Sequence, residues 1–96
     1  MRNARTLIER MTLSKSIDGE LHTFDVDLHE EAGQFLVYVY DPEEAFASNP
    51  FYYTSLQAAK QQFERYLRLI VDEPVRIGET AADFGERIYN ALHLTD

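Results

Sequence analysis

"MTLSKSIDGELHTFDVDL", residues 11–28, carries the pair Asp18-Gly19 at its centre. A two-residue hairpin loop of type I′ needs positive φ at both central positions, and Asp followed by Gly supplies that well. A turn at this pair makes Ile17 and Glu20 partners and fixes every pair behind them. Leu13 then faces Phe24 and Met11 faces Val26 on one side, while Arg10 faces Asp27 and Thr12 faces Asp25 on the other. Apolar side chains meet apolar ones and a cation meets an anion. A slip of one residue would break both matches. The stretch predicts two antiparallel strands, about 7–17 and 20–29.

Further along, "EEAGQ" at 30–34 offers Ala32-Gly33 as a second tight turn, with a loop of three to five residues as the alternative. The tight turn sets Leu28 against Val37 and Val26 against Val39, giving a third strand at about 34–41. Phe35, Val37 and Val39 join Phe24, Val26, Leu28, Met11 and Leu13 on one apolar face. Leu36, Tyr38 and Tyr40 fall on the opposite face beside Asp25, Asp27 and His29. Asp41-Pro42 closes the strand, since proline supplies no donor and biases its predecessor away from helix. Residues 42–50 read as a loop with Phe46 as its apolar anchor, and "FYYT" at 51–54 as a short edge strand.

From Ser55 the period changes. Leu56, Ala59, Phe63, Tyr66, Leu67 and Ile70 recur at three- and four-residue steps, with Lys60, Gln61, Glu64, Arg65 and Arg68 on the other side. This predicts an amphipathic helix over 55–72, capped by Thr54 or Ser55 and ended by Glu73-Pro74. A short extended piece, "VRIGE" at 75–79, leads to Thr80 and Asp83, a capping box with aspartate in place of glutamate. A second helix over 80–94 follows, with Phe84, Ile88, Ala91 and Leu92 in one stripe. Gly85 costs it about 1 kcal/mol against alanine, so it depends on docking. Residues 2–10 fit either an extension of the first strand or a short helix through Leu7, Ile8 and Met11. The expected fold is α+β: one domain over 1–96, a three- to four-stranded antiparallel meander with both helices packed on its apolar face.

A chain of 96 residues with 45% hydrophobic residues is long enough for one core, and at this size stability is often supplemented by association. With no cysteine, disulfides, thiol catalysis and thiolate zinc sites are excluded, leaving His22, His29 and His93 as nitrogen ligands. Arg5, Glu9 and Arg10 interrupt the apolar run a signal peptide needs, and no segment reaches membrane-spanning length, so a cytoplasmic protein is expected. The net charge is -8, and no lysine or arginine occurs between Lys15 and Lys60. Asp18, Glu20, Asp25, Asp27, Glu30, Glu31, Asp41, Glu43 and Glu44 all lie in that gap. Such a segment repels phosphate backbones, so direct nucleic-acid binding is not expected, whereas a basic partner would be drawn to it.

No catalytic or cofactor motif is present: there is no Gly-x-Ser-x-Gly elbow, P-loop or Gly-x-Gly-x-x-Gly. Asp25, Asp27 and His29 share a strand face, but residues two apart lie about 7 Å from one another. The register brings Arg10, Thr12, Tyr38 and Tyr40 to them instead of a further carboxylate, so neither a metal site nor an enzyme is expected. His22 and His29 fall on opposite faces. The unusual feature is the aromatic content of the polar side. Tyrosine buries apolar area while keeping a polar tip and is enriched in contact surfaces. Tyr38, Tyr40, Leu36, Asp25, Asp27 and His29 are therefore the candidate protein-binding residues, either exposed or covered by the 41–50 loop. Two functions fit: a non-catalytic interaction or regulatory module that binds a protein partner or its own copy, and an acidic inhibitor or immunity-type protein that imitates a phosphate array in a basic groove.

Overall fold

A computed structural model describes residues 5–43 and 47–94. Strands β1 (Thr6–Ile17), β2 (Glu20–Glu31), β3 (Gln34–Tyr40) and β4 (Phe51–Tyr53) make one antiparallel sheet in the order β1-β2-β3-β4. Helices α1 (Leu56–Asp72) and α2 (Ala81–Leu94) follow. The class is α+β, a four-stranded meander and then two helices.

Both tight turns form. Asp18 and Gly19 have φ of 53° and 81°, and Ala32 and Gly33 repeat this geometry at 53° and 80°. The pairs set by those turns follow: Leu13 with Phe24, Met11 with Val26, Arg10 with Asp27, Thr12 with Asp25, Leu28 with Val37 and Val26 with Val39. The ladder slips once, between Leu7 and Glu9, leaving Ile8 as an extra residue. The N-terminal segment is strand from Thr6 onward; residues 2–4 lie outside the described residues.

The strands' apolar side forms the core. Phe24, Val26, Leu28, Val37 and Val39 pack with Ala59, Phe63, Tyr66 and Ile70 of α1 and with Phe84, Ile88 and Leu92 of α2. Ser55 caps α1, its Oγ accepting from the Ala58 amide. The capping box of α2 closes in both directions between Thr80 and Asp83 at 3.1 Å.

Two tethers join distant parts of the chain. The Lys15 ammonium donates to the carbonyls of Ile70 at 2.7 Å and Val71 at 3.1 Å, which satisfies the C-terminal end of α1 from the sheet. The expected extended piece at 75–79 is instead a loop turning at Ile77-Gly78, where Gly78 has φ of 85°. Glu79 organises that loop, accepting from the Arg76 amide and from two nitrogens of Arg87 at 2.7 and 3.0 Å. Arg87 also donates to the Pro74 carbonyl. The Arg87 hydrogen bonds hold the Glu79 carboxyl down at about 2.

In the 41–50 loop, residues 47 and 48 lie beside β3. Ala47 bridges to Tyr40, and the Ser48 amide donates to the Val39 carbonyl while the Ser48 hydroxyl accepts from the Val39 amide. The expected anchor Phe46 lies outside the described residues.

Candidate functional site

The side of the sheet away from the helices is organised around Asp27. Its carboxylate has no solvent exposure and receives Arg10 through two 2.8 Å bonds, Nε to Oδ1 and Nη2 to Oδ2. The meander makes this bond, because Arg10 and Asp27 are cross-strand partners on that face. The carboxylate bonds raise the Arg10 guanidinium's affinity for its proton. One rung on, the Thr12 hydroxyl donates to Asp25 Oδ1 at 2.6 Å, and Arg10 Nε lies 4.0 Å from the other oxygen of Asp25.

His29 links this pair to the tyrosines. Its Nε2 lies 3.1 Å from Asp27 Oδ2 and 3.1 Å from the Tyr38 hydroxyl. A carboxylate only accepts, so these distances place a proton on Nε2. Nδ1 is buried and without a hydrogen-bond partner. The His29 and Tyr38 rings stack at 5.4 Å with 8° between their planes, and Tyr40 follows Tyr38 at 5.9 Å. Guanidinium carbons cover both rings, Arg5 over Tyr38 and Arg10 over Tyr40, each at 5.8 Å. Burial, with the fields of Asp27 and Asp25 outweighing Arg10, holds the Tyr40 phenol above its ordinary value.

The six candidate residues thus lie together but differ in access. Asp25, Asp27, His29 and Leu36 are buried, whereas Tyr38 and Tyr40 are half-buried. Leu36 is buried, with His29 and Tyr52 as its register partners. Tyr52 extends the aromatic strip and is 56% exposed. The expected acidity of this face is therefore internal, and the charged groups beside the tyrosine rings include Arg5 and Arg10, whose side chains are 39% and 42% exposed.

No protein-family model, curated protein or solved structure matches the chain. Every oxygen of Asp27 is bonded, which removes it as a free base. Among the described residues no group of three His, Asp or Glu side chains is placed to hold a metal ion, and no helix is long and apolar enough to cross a membrane. His22, on the other face, stands apart, with Nδ1 4.0 Å from Asp41 and Nε2 3.8 Å from Glu20.

Sequence reading paired Arg10 with Asp27 but did not find Arg5 over Tyr38 or the bond from His29 to Tyr38. The second had a signal, because His29 and Tyr38 are diagonal neighbours once the Ala32-Gly33 turn is accepted. Arg5 had none, since it lies beyond the slip at Ile8.

Proposed function

We propose that this chain is a non-catalytic protein-interaction or regulatory module whose contact surface is centred on Tyr38 and Tyr40. The observation that carries this reading is the state of the two rings. They are half-exposed, yet stacked on a buried Arg10–Asp27–His29 network and held from above by guanidinium groups. Rings immobilised before binding lose little conformational freedom when a partner dries them, which is the property of an aromatic anchor. Leu36 and Tyr52 continue the apolar area along the sheet.

The phosphate-imitating reading needs carboxylates in solvent, and Asp25 and Asp27 are enclosed, so on this face the geometry favours the tyrosine-centred reading. A protein partner or a second copy, in a cytoplasmic setting with no nucleic acid or cofactor, remains part of the proposal, while the enclosed carboxylates no longer favour a basic partner on this face. Capture of partners by wild type and by Tyr38→Ser/Tyr40→Ser, washed at low and high salt, tests it. The expected result is a partner retained at high salt by wild type and lost by the variant, with both proteins melting cooperatively. Loss of the cooperative melt in the variant, or a partner that is lost at high salt and indifferent to the tyrosines, would overturn it.

A further inference from the structure

β1 is the outermost strand on its side of the sheet, so its far edge has no partner among the described strands. Long edges of this kind are normally blunted by proline, bulges or charged side chains, and the charges on this one, Glu9, Arg10 and Lys15, limit it to an edge that pairs with them. Residues 9–17 contain no proline, the slip at Ile8 stops just short of them, and Met11 is 42% exposed.

Which backbone groups face outward follows from the turn. Asp18-Gly19 makes Ile17 and Glu20 a hydrogen-bonded pair, so Ile17, Lys15, Leu13 and Met11 direct their amides and carbonyls to β2. Ser16, Ser14, Thr12 and Arg10 direct theirs away from the sheet. We infer that this edge pairs antiparallel with β1 of a second copy about a twofold axis at Thr12, joining two four-stranded sheets into one.

The register is selected by chemistry. Outward-facing residues must meet outward-facing residues, which excludes every pairing of an even-numbered with an odd-numbered position. An axis at Arg10 sets two guanidinium groups opposite each other. An axis at Met11 sets Glu9 against the partner's Leu13, and one at Leu13 sets Met11 against the partner's Lys15. An axis at Thr12 sets Met11 against the partner's Leu13 and Glu9 against the partner's Lys15, with Arg10 against the partner's Ser14. Like meets like in the centre and opposite charges meet at the ends. Lys15 gives two of its three ammonium donors to α1, leaving one for the partner's Glu9. The pairing ends at Glu9, where the slip at Ile8 bends the edge away. The dense acidic segment begins after Lys15, so this edge lies outside the part of the chain that would repel a second copy most.

This inference does not rest on the tyrosine face. Sedimentation of wild type over a dilution series is expected to show a monomer–dimer equilibrium. Ser14→Pro removes an outward amide without touching the β2 ladder, so it should be monomeric and should melt cooperatively at the temperature that wild type reaches when diluted to monomer. Glu9→Lys, a surface change that keeps the backbone, should weaken the dimer about tenfold by turning two attractions into repulsions. The chain has no cysteine, so a single introduced one reports the axis: on oxidation Thr12→Cys should give a covalent dimer, and Met11→Cys markedly less. A wild type that stays monomeric, a dimer indifferent to both Ser14→Pro and Glu9→Lys, cross-linking that prefers Met11→Cys, or a dimer lost only in Tyr38→Ser/Tyr40→Ser would each overturn it.

Discussion

Arg10→Ala is expected to be among the most damaging single changes on the sheet's polar face. It removes both 2.8 Å bonds to Asp27 and leaves a fully buried carboxylate with His29 as its remaining hydrogen-bond partner. Unit charges about 4 Å apart attract by about 4 kcal/mol at an effective dielectric of 20. The Arg10 side chain is 42% exposed, so water screens the pair and can enter after truncation, which lowers the expected loss to about 2–3 kcal/mol. For a domain of this size that corresponds to a fall in Tm of about 10–20 °C. Asp27→Asn alone should cost less, about 1–2 kcal/mol, because asparagine fills the same space and the freed guanidinium can hydrate. Urea unfolding at pH 7 of wild type, both single variants and the double variant supplies the coupling. The double variant should be more stable than the sum of the two losses predicts by at least about 1 kcal/mol. A loss below about 0.5 kcal/mol for Arg10→Ala, as for an ordinary surface pair, or additive losses in the cycle, would refute the claim that this bond organises the face.

Three further outcomes are expected. The Glu79 carboxyl is held at about 2 against 4.5 when free, so its contribution is complete above pH 4.5 and disappears between about 4.5 and 2; melts across that range should show an acid limb that Glu79→Gln flattens. Lys15→Met keeps the apolar stem but loses the bonds to the Ile70 and Val71 carbonyls, and chemical denaturation should register a cost of about 1 kcal/mol. Val26→Asp places a charge at a position with no exposure and should abolish the cooperative thermal transition, whereas Leu21→Asp, at a position 74% exposed, should shift stability by no more than about 0.5 kcal/mol.

The sheet was legible because its information is local. Asp18-Gly19 and Ala32-Gly33 set their registers from two residues each, and the period-2 pattern then assigns every side chain to a face. The helix boundaries were legible for the same reason, resting on Ser55 and on the Thr80–Asp83 box. Membership of the polar face could also be read, but its access could not. That Asp27 is enclosed while Tyr38 is half-exposed depends on how far Arg10 and Arg5 fold back over the strands, a matter of rotamers and not of spacing. Contacts between distant segments, such as Lys15 with the end of α1 or Glu79 with Arg87, leave no periodic trace. The slip at Ile8 was not read because "TLIERM", with apolar Leu7 and Ile8 adjacent, breaks strict alternation and equally fits a helical pattern.

The two turns share a geometry but not a chemistry. Asp18 tolerates the left-handed region, since a short polar side chain can bond its own backbone there, whereas Ala32 occupies φ of 53° without that help. Neighbouring pairs, Leu28 with Val37 and Val26 with Val39, are strong enough to impose the conformation on a residue that resists it. The molecule therefore holds unused thermodynamic headroom at a solvent-exposed tip. Ala32→Asn should raise the urea midpoint, with a gain of up to about 1 kcal/mol. A lowered midpoint would show that alanine is no burden there. Headroom left in place at an exposed turn means that the fold operates below the most stable sequence its own backbone would accept.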